Sequence, residues 1–239
     1  MSDQNGFISI RNVTKTFPGK GKDVTPLKDL ELSIHRGDFV ALMGPSGSGK
    51  TTLLHLLAGI DTPTQGTVHV DGVEVSALGS RALAKWRNRH VGFVFQQYNL
   101  VPVLTAFENV ELPLLLLPLS REERRRKVDV ALDAVGLTDR ASHLPRQLSG
   151  GQQQRTAVAR AIVAGPTLLL ADEPTGNLDE KAAASILALL KTLHERFGQT
   201  LVMVTHDPRA AAAAARTIHL DKGRMLGEDV PLADAKEAT

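Results

Sequence analysis

The chain of 239 residues is 42% hydrophobic, carries a net charge of +2 and contains no cysteine. That length and apolar content can bury a large core, so the chain reads as one domain, or one domain with an inserted lobe, and not as a disordered segment. The missing cysteines exclude disulfide scaffolds, thiol nucleophiles and thiolate metal sites and suit a reducing cytoplasm, and the near balance of charge gives no ground for expecting a nucleic-acid partner.

The opening Met-Ser-Asp-Gln-Asn-Gly has neither the basic nor the apolar stretch of a signal peptide. Residues 7–13, 30–34 and 39–43 are short alternating or apolar runs that predict strands. Residues 44–51 form a glycine-rich loop, and a helix over 50–58 follows, closed by Gly59. Asp71-Gly72 between 67–70 and 73–75 is a hairpin signal, because a tight turn there needs two residues that tolerate positive φ. The basic runs at 81–89 and 121–127 read as solvated helix faces. From about 97 to 164 helical patterns dominate; Ser120 and Glu123 form a capping box and Gly136 stops the helix it opens. The longest apolar run, 112–119, falls far short of the roughly 20 residues a membrane-crossing helix needs, so a path across a membrane would have to come from another polypeptide. Strands return at 167–171 and 200–205, with a helix between them capped by Asp179 and ended at Gly198. Asp207-Pro208 opens an alanine-rich helix, and a short polar tail follows Gly223. Strands alternating with helices after a glycine-rich loop predict a parallel-sheet α/β fold interrupted by a helical insert.

Three segments carry chemistry. Gly44-Pro45-Ser46-Gly47-Ser48-Gly49-Lys50-Thr51 fits the phosphate-binding pattern G-x-x-x-x-G-K-[ST]: glycines let the backbone turn tightly and approach phosphates, the next helix points its positive end at them, and Lys50 reaches the β and γ phosphates. The apolar run 168–171 ends in Asp172-Glu173, and open α/β sheets present ligand-binding groups at such strand ends. Asp172 suits a water-mediated hold on Mg²⁺, and Glu173 suits a general base for an attacking water. Leu148-Ser149-Gly150-Gly151-Gln152 opens a second helix whose N-terminus, beside a small hydroxyl, is a second anion site. A single chain then has more phosphate-binding helix ends than one nucleotide requires.

With these three motifs in this order, residues 7–223 resemble the ATP-binding subunit of an ABC transporter. The resemblance implies a P-loop NTPase (RecA-like) core with an antiparallel β subdomain over 7–96 and 165–223, an inserted α-helical subdomain over 97–164 carrying the signature motif, and a polar tail over 224–239. It implies an ATPase coupled to transport that uses ATP and Mg²⁺, with Thr51, Gln96 and Asp172 around the metal and Thr52 near the α phosphate. Gly92-Phe93-Val94-Phe95-Gln96 is similar to the family's glutamine loop; Gln97 is the alternative reading of that position, and Gln96 is preferred because it directly follows the apolar run. His206, at the end of 201–205, resembles the family's switch histidine, which holds the γ phosphate and attacking water with Glu173. The other histidines, His55, His69 and His143 among them, show no metal-ligand spacing. Phe17 stands where relatives place an aromatic against adenine, often Tyr; ordinary packing is the competing reading. Asp179 is read as both a helix cap and a contact across a dimer. In the family Ser149, Gly150, Gly151 and Gln152 of one subunit complete the phosphate site of another, which implies a head-to-tail homodimer around two ATP molecules.

The strings at 172–179, 92–100 and 108–113 resemble the branch of lipoprotein-release and macrolide-exporter ATPases, in which the chain would sit on the cytoplasmic face of the inner membrane against a separate few-span membrane permease with a large external domain. An importer ATPase, or a soluble ABC ATPase acting on DNA ends or ribosomes, are alternatives; the latter usually needs a coiled-coil insert or two fused cores, for which the chain has no room. A guanine-nucleotide switch fails because Thr14-Lys15 is followed by Thr16-Phe17 and not by the base-reading acid.

Overall fold

A computed structural model describes residues 6–229, and these group into two compact units, one from the described parts of Met1–Gly79 and Thr200–Thr239 and the other from Ser80–Gln199.

The first unit holds an antiparallel sheet in the order β2-β1-β4-β5, with β1 at Ile8–Phe17, β2 at Val24–Ile34, β4 at Gln65–Val70 and β5 at Val73–Glu74. Ile8 pairs with Ile34 and Val70, and Ile10 with Leu32 and Val68, so one apolar face is assembled from three strands and buried. Register shifts along β1 coincide with Asn12 at φ 49°, and those facing it on β2 with Asp29 at φ 48°; single bulged residues of this kind bend a strand. The Asp71-Gly72 turn has φ 52° and 74°, as its residue types predict.

The same unit contains β3 (Phe39–Met43) with parallel neighbours β8 (Thr200–Thr205) and β9 (Arg216–Asp221). The first two are almost wholly buried, which explains why they read as continuous apolar runs and not as alternating ones. Helix α1 (Lys50–Leu57) follows β3 and buries Leu53, Leu54, Leu56 and Leu57. Two expectations change here. The alanine-rich helix after Asp207 spans only Pro208–Ala211 (labelled α7 in chain order), because the hydrogen bonds of Ala213 and Ala214 tighten to the third residue back and Ala215 N then donates to Phe39 O, committing the chain to strand pairing beside β3. The segment after Gly223 begins with strand β10 (Arg224–Asp229), antiparallel to β9 around a turn at Lys222-Gly223 with φ 46° and 79°. Residues 230–239 of the expected tail lie outside the described residues.

The second unit pairs β6 (Val91–Val94) with β7 (Leu168–Asp172) in parallel and surrounds them with α2 (Ser80–His90), α3 (Ala106–Glu111), α4 (Arg121–Ala134), α5 (Gly150–Ile162) and α6 (Glu180–Phe197). Helix α4 buries Val128, Ala131 and Leu132, with Ser120 and Glu123 forming both halves of its capping box; α6 begins at the Asp179 cap and ends at Gly198. Fully buried Asn109 on α3 accepts from Val101 N (2.7 Å) and donates to the carbonyls of Val101, Leu104 and Thr105, fixing the loop that enters the helical region. No helix among the described residues is long and apolar enough to cross a membrane.

Candidate functional site

The glycine-rich loop occupies the end of β3. Gly49 stands at φ 99° as the residue before α1, and a Cβ there would collide with the Pro26 carbonyl and the Leu27 side chain. Only glycine satisfies both the conformation and the space. Gly49 supplies no side-chain cap to α1, and the first turn holds no acid; the first N–H groups of any helix have no acceptor within the helix itself. Lys50 is only 7% exposed, and its Nζ donates to the carbonyls of Gly44 (2.8 Å) and Pro45 (2.9 Å). A buried ammonium at the N-terminus of a helix, where the helix dipole favours negative charge, suits an anion. The tip, Pro45, Ser46 and Gly47, is exposed, while Ser48 is buried. The loop is buttressed from the β9–β10 turn: Gly223 N donates to Ser48 O at 3.2 Å, and Lys28 N donates to Gly223 O at 3.0 Å.

Also in this unit, Thr51 and Thr52 occupy the first turn of α1, and His206 is exposed directly after buried β8. Phe17 ends β1 with 42% of its surface exposed, and the Lys15 ammonium lies 4.7 Å from its ring centroid. Asp207 caps α7, and the Arg209 backbone N–H, followed by weaker contributions from the Arg209 side chain and His206, holds its carboxyl below the usual aspartate value.

In the second unit, Asp172 is the last residue of β7 and Glu173 leaves the strand at φ 44°. A non-glycine residue in that region is uncommon and concentrates at functional positions. Gly176 N donates to Glu173 O at 3.0 Å, and a Cβ on Gly176 would lie 2.8 Å from Gln96 Nε2 and 3.3 Å from Glu173 Oε2. The Gln96 amide and the Glu173 carboxylate therefore flank one point of the turn, and it is Gln96, not Gln97, that stands there. Asn177 Nδ2 donates to Gln96 O at 3.1 Å. Asp179 caps α6 by accepting from Ala182 N at 2.8 Å.

The second helix start differs from the first. Ser149 Oγ accepts from Gln152 N at 3.3 Å and Gln152 Oε1 accepts from Ser149 N at 2.9 Å, a complete capping box. Gly150 is where Tyr98 packs close: a Cβ would lie 3.0 Å from its hydroxyl. From the body of α5, fully buried Gln154 donates through Nε2 to Pro174 O (2.8 Å) and Phe95 O (3.5 Å), and Arg160 donates to the carbonyls of Tyr98 and Asn99.

The first unit thus carries Phe17, residues 44–52 and His206. The second carries Gln96, Asp172, Glu173, Ser149, Gly150, Gly151, Gln152 and Asp179, of which Gln96 and Glu173 meet at Gly176. Gln154, Arg160 and Tyr98 escaped the reading of the sequence, which marks Asn177 only as part of the loop before Asp179. Gln154 sits in a run of three glutamines whose burial only the helix phase decides, and Arg160 lies about two turns beyond the signature motif with no local pattern to mark it.

A parallel-stranded core that delivers a glycine-rich loop into a helix, with a second strand ending in adjacent acids, defines a P-loop nucleoside triphosphatase. The chain belongs to the ABC transporter family: residues 27–176 match the family model described as ABC transporter. It is the ATP-binding cassette of such a transporter, an ATPase with the mixed α/β ABC fold. It is 47% identical over 227 residues, 93% of this chain and 97% of the relative, to the uncharacterised ABC transporter ATP-binding protein MJ0796 of Methanocaldococcus jannaschii. It is 46% identical over 233 residues to the macrolide export ATP-binding/permease protein MacB of Burkholderia pseudomallei, covering 97% of this chain but only 36% of that longer protein. The dimeric post-hydrolysis structure of MJ0796 bound to ADP and Pi superposes with a TM-score of 0.86 at 45% identity, covering 93% of this chain and 98% of that one.

Proposed function

We propose that two copies of this chain close head to tail on two ATP molecules and that hydrolysis at both sites reopens them, driving a separate membrane subunit. The observation that carries this reading is the placement of the Gln96 amide and the Glu173 carboxylate together against one face of Gly176, with Glu173 held in a left-handed conformation at a strand end. Residues 44–49 and Lys50 bind the phosphates, Thr52 lies near the α phosphate, and Phe17 supplies a ring for adenine. Glu173 accepts the proton of a water that attacks the γ phosphorus; the bond from that phosphorus to the bridging oxygen breaks, and ADP and phosphate leave. Gln96 and His206 orient that water. Mg²⁺ would be held by the Thr51 hydroxyl, Gln96 and Asp172 together with nucleotide oxygens, and it would neutralise phosphate charge. That division suits the donors at hand, since no group of three His, Cys, Asp or Glu among the described residues forms a protein-only cage. Ser149, Gly150, Gly151 and Gln152 act on the nucleotide of the other copy, with Asp179 at the contact.

The membrane subunit is a few-span permease with a large external domain, engaged at the cytoplasmic face of the inner membrane through the helical unit near the Gln96 loop, and the work done is export or lipoprotein extraction. Similarity to the ATP-binding part of MacB supports this direction.

Glu173→Gln tests the reading. The variant should bind ATP normally, hydrolyse it about a thousandfold more slowly, migrate as an ATP-dependent dimer, and retain a few-span membrane protein when purified from its host in mild detergent. Hydrolysis at the original rate would remove Glu173 as base. A monomer with ATP would remove the sandwich, and a many-span permease with a solute-binding protein would replace export by import.

A further inference from the structure

We infer that Arg160 is a positioning residue for ATP hydrolysis: its guanidinium clamps the carbonyls of Tyr98 and Asn99 and thereby fixes the loop that presents Gln96. The inference rests on the assignment of Gln96 and Glu173 to the hydrolytic site.

Tyr98 and Asn99 are consecutive non-glycine residues at φ 56° and 49°. The conformation is costly for Tyr98 and milder for Asn99, whose short amide tolerates it singly, and two such residues in succession persist only where the surroundings over-determine them. In an extended chain successive carbonyls point in opposite directions, so one planar side chain could not take both. Two left-handed residues in succession turn their carbonyls the same way, and the Arg160 fork meets them: Nη1 donates to Asn99 O at 2.5 Å and Nη2 to Tyr98 O at 2.7 Å. A lysine is a point charge and cannot reproduce this two-pronged geometry. Burial pushes the guanidinium below its ordinary pKa, and hydrogen bonds donated by a cation are stronger than those between neutral groups.

The clamped turn is joined to the proposed chemistry by short links. The Tyr98 hydroxyl reaches Asn177 O at 3.5 Å, and the Asn177 side chain returns to Gln96 O at 3.1 Å. Gln154, on the same helix as Arg160, reaches Phe95 O at 3.5 Å. Helix α5 thus grips the loop at both ends, Gln154 before Gln96 and Arg160 after it, and Gln96 is left with its amide beside Gly176 and the Glu173 carboxylate. Arg160 itself is bonded to the loop's backbone and acts through it.

The test separates placement of the loop from general stability. Arg160→Met keeps an unbranched apolar stem and removes both donors; kcat for ATP should fall about tenfold or more while KM and the dissociation constant for ATP stay within about twofold and melting remains cooperative. Arg160→Lys should lose kcat to a smaller extent. Asn99→Gly placed on Arg160→Met should restore most of the lost kcat, because glycine adopts the left-handed conformation without a clamp. Wild-type kcat in Arg160→Met overturns the inference. So does a parallel loss of kcat, ATP affinity and melting temperature that glycine leaves unrepaired, which would make Arg160 a plain structural residue. If Arg160→Met does not fold, Arg160→Lys is read in the same assays, and wild-type kcat there overturns the inference equally. Glu173→Gln run in parallel keeps the two claims apart: unimpaired turnover in it sinks the assignment of the base, whereas the Arg160 and Asn99 variants decide the clamp.

Discussion

The glycine-rich loop at 44–51 keeps its shape with backbone atoms and one lysine of its own, whereas segments 95–99 and 173–177 keep theirs with side chains reaching in from α5 and from each other. In the first region Gly49 fits where no Cβ could, Lys50 folds onto carbonyls of its own loop, and Gly223 adds one main-chain bond. In the second, Tyr98, Asn99 and Glu173 adopt left-handed conformations despite their side chains, and Gln154, Arg160 and Asn177 tie down the carbonyls around them. A loop made by the absence of side chains tolerates no addition. One made by their presence yields to removal, and its position can be shifted by whatever moves the helix that braces it.

The largest effect should therefore follow from adding one methyl group to the first region. Gly49→Ala must carry φ 99° and push a Cβ against the Pro26 carbonyl and Leu27, so ATP affinity should fall about a hundredfold or more, read by titration with a fluorescent nucleotide. Gly47→Ala has nothing within 4 Å of its new Cβ and bears only the strain of φ 79°, so it should lose about tenfold. Equal losses at the two positions would show that space at Gly49 does not matter and would undo the contrast drawn here.

Removing one side chain from the second region should have an intermediate effect. Gln154→Met takes the donor from buried Pro174 O, at a cost of about 1–3 kcal/mol. It also removes Gln154 Oε1, a buried acceptor with no partner, which offsets part of that cost. The net should be about 1 kcal/mol, lowering the melting temperature by about 2–4 °C, with ATP binding unchanged and kcat reduced. A loss of binding without a loss of kcat would reverse the division of labour between the regions.

The same contrast governs what the sequence discloses. Residues 44–51, the Asp71-Gly72 turn, the Ser120 box and the helix from Asp179 to Gly198 are visible because each depends on neighbours within four residues and on residue types that φ or a cap demands. Strand β10 is missed because Arg224–Asp229 is mostly exposed and lacks an apolar pattern, so only pairing with β9 defines it. Helix α7 is cut short by a bond from Ala215 to Phe39, far away in the chain. Gln154 and Arg160 act on carbonyls about twenty to sixty positions distant, a relation that no window of sequence holds.

The smallest effect concerns acid, and it sets helix α1 apart from the capping boxes of the second unit. In the second unit Glu108 and Glu123 close capping boxes: the Thr105 backbone N–H and then its hydroxyl hold Glu108 below its ordinary 4.5, and the Ser120 side chain and then its backbone do so for Glu123. A carboxyl depressed by folding binds fewer protons folded than unfolded, so its stabilisation is present above 4.5 and is lost as pH falls through the lower folded value. Helix α1 in the first unit has no acid in its first turn and no such dependence. Glu108→Gln/Glu123→Gln should melt slightly below the parent at neutral pH, since a glutamine still completes the box without its charge, and the two melting curves should converge as pH drops below 4.5. A gap that stays constant across that range would mean that the boxes contribute through shape alone.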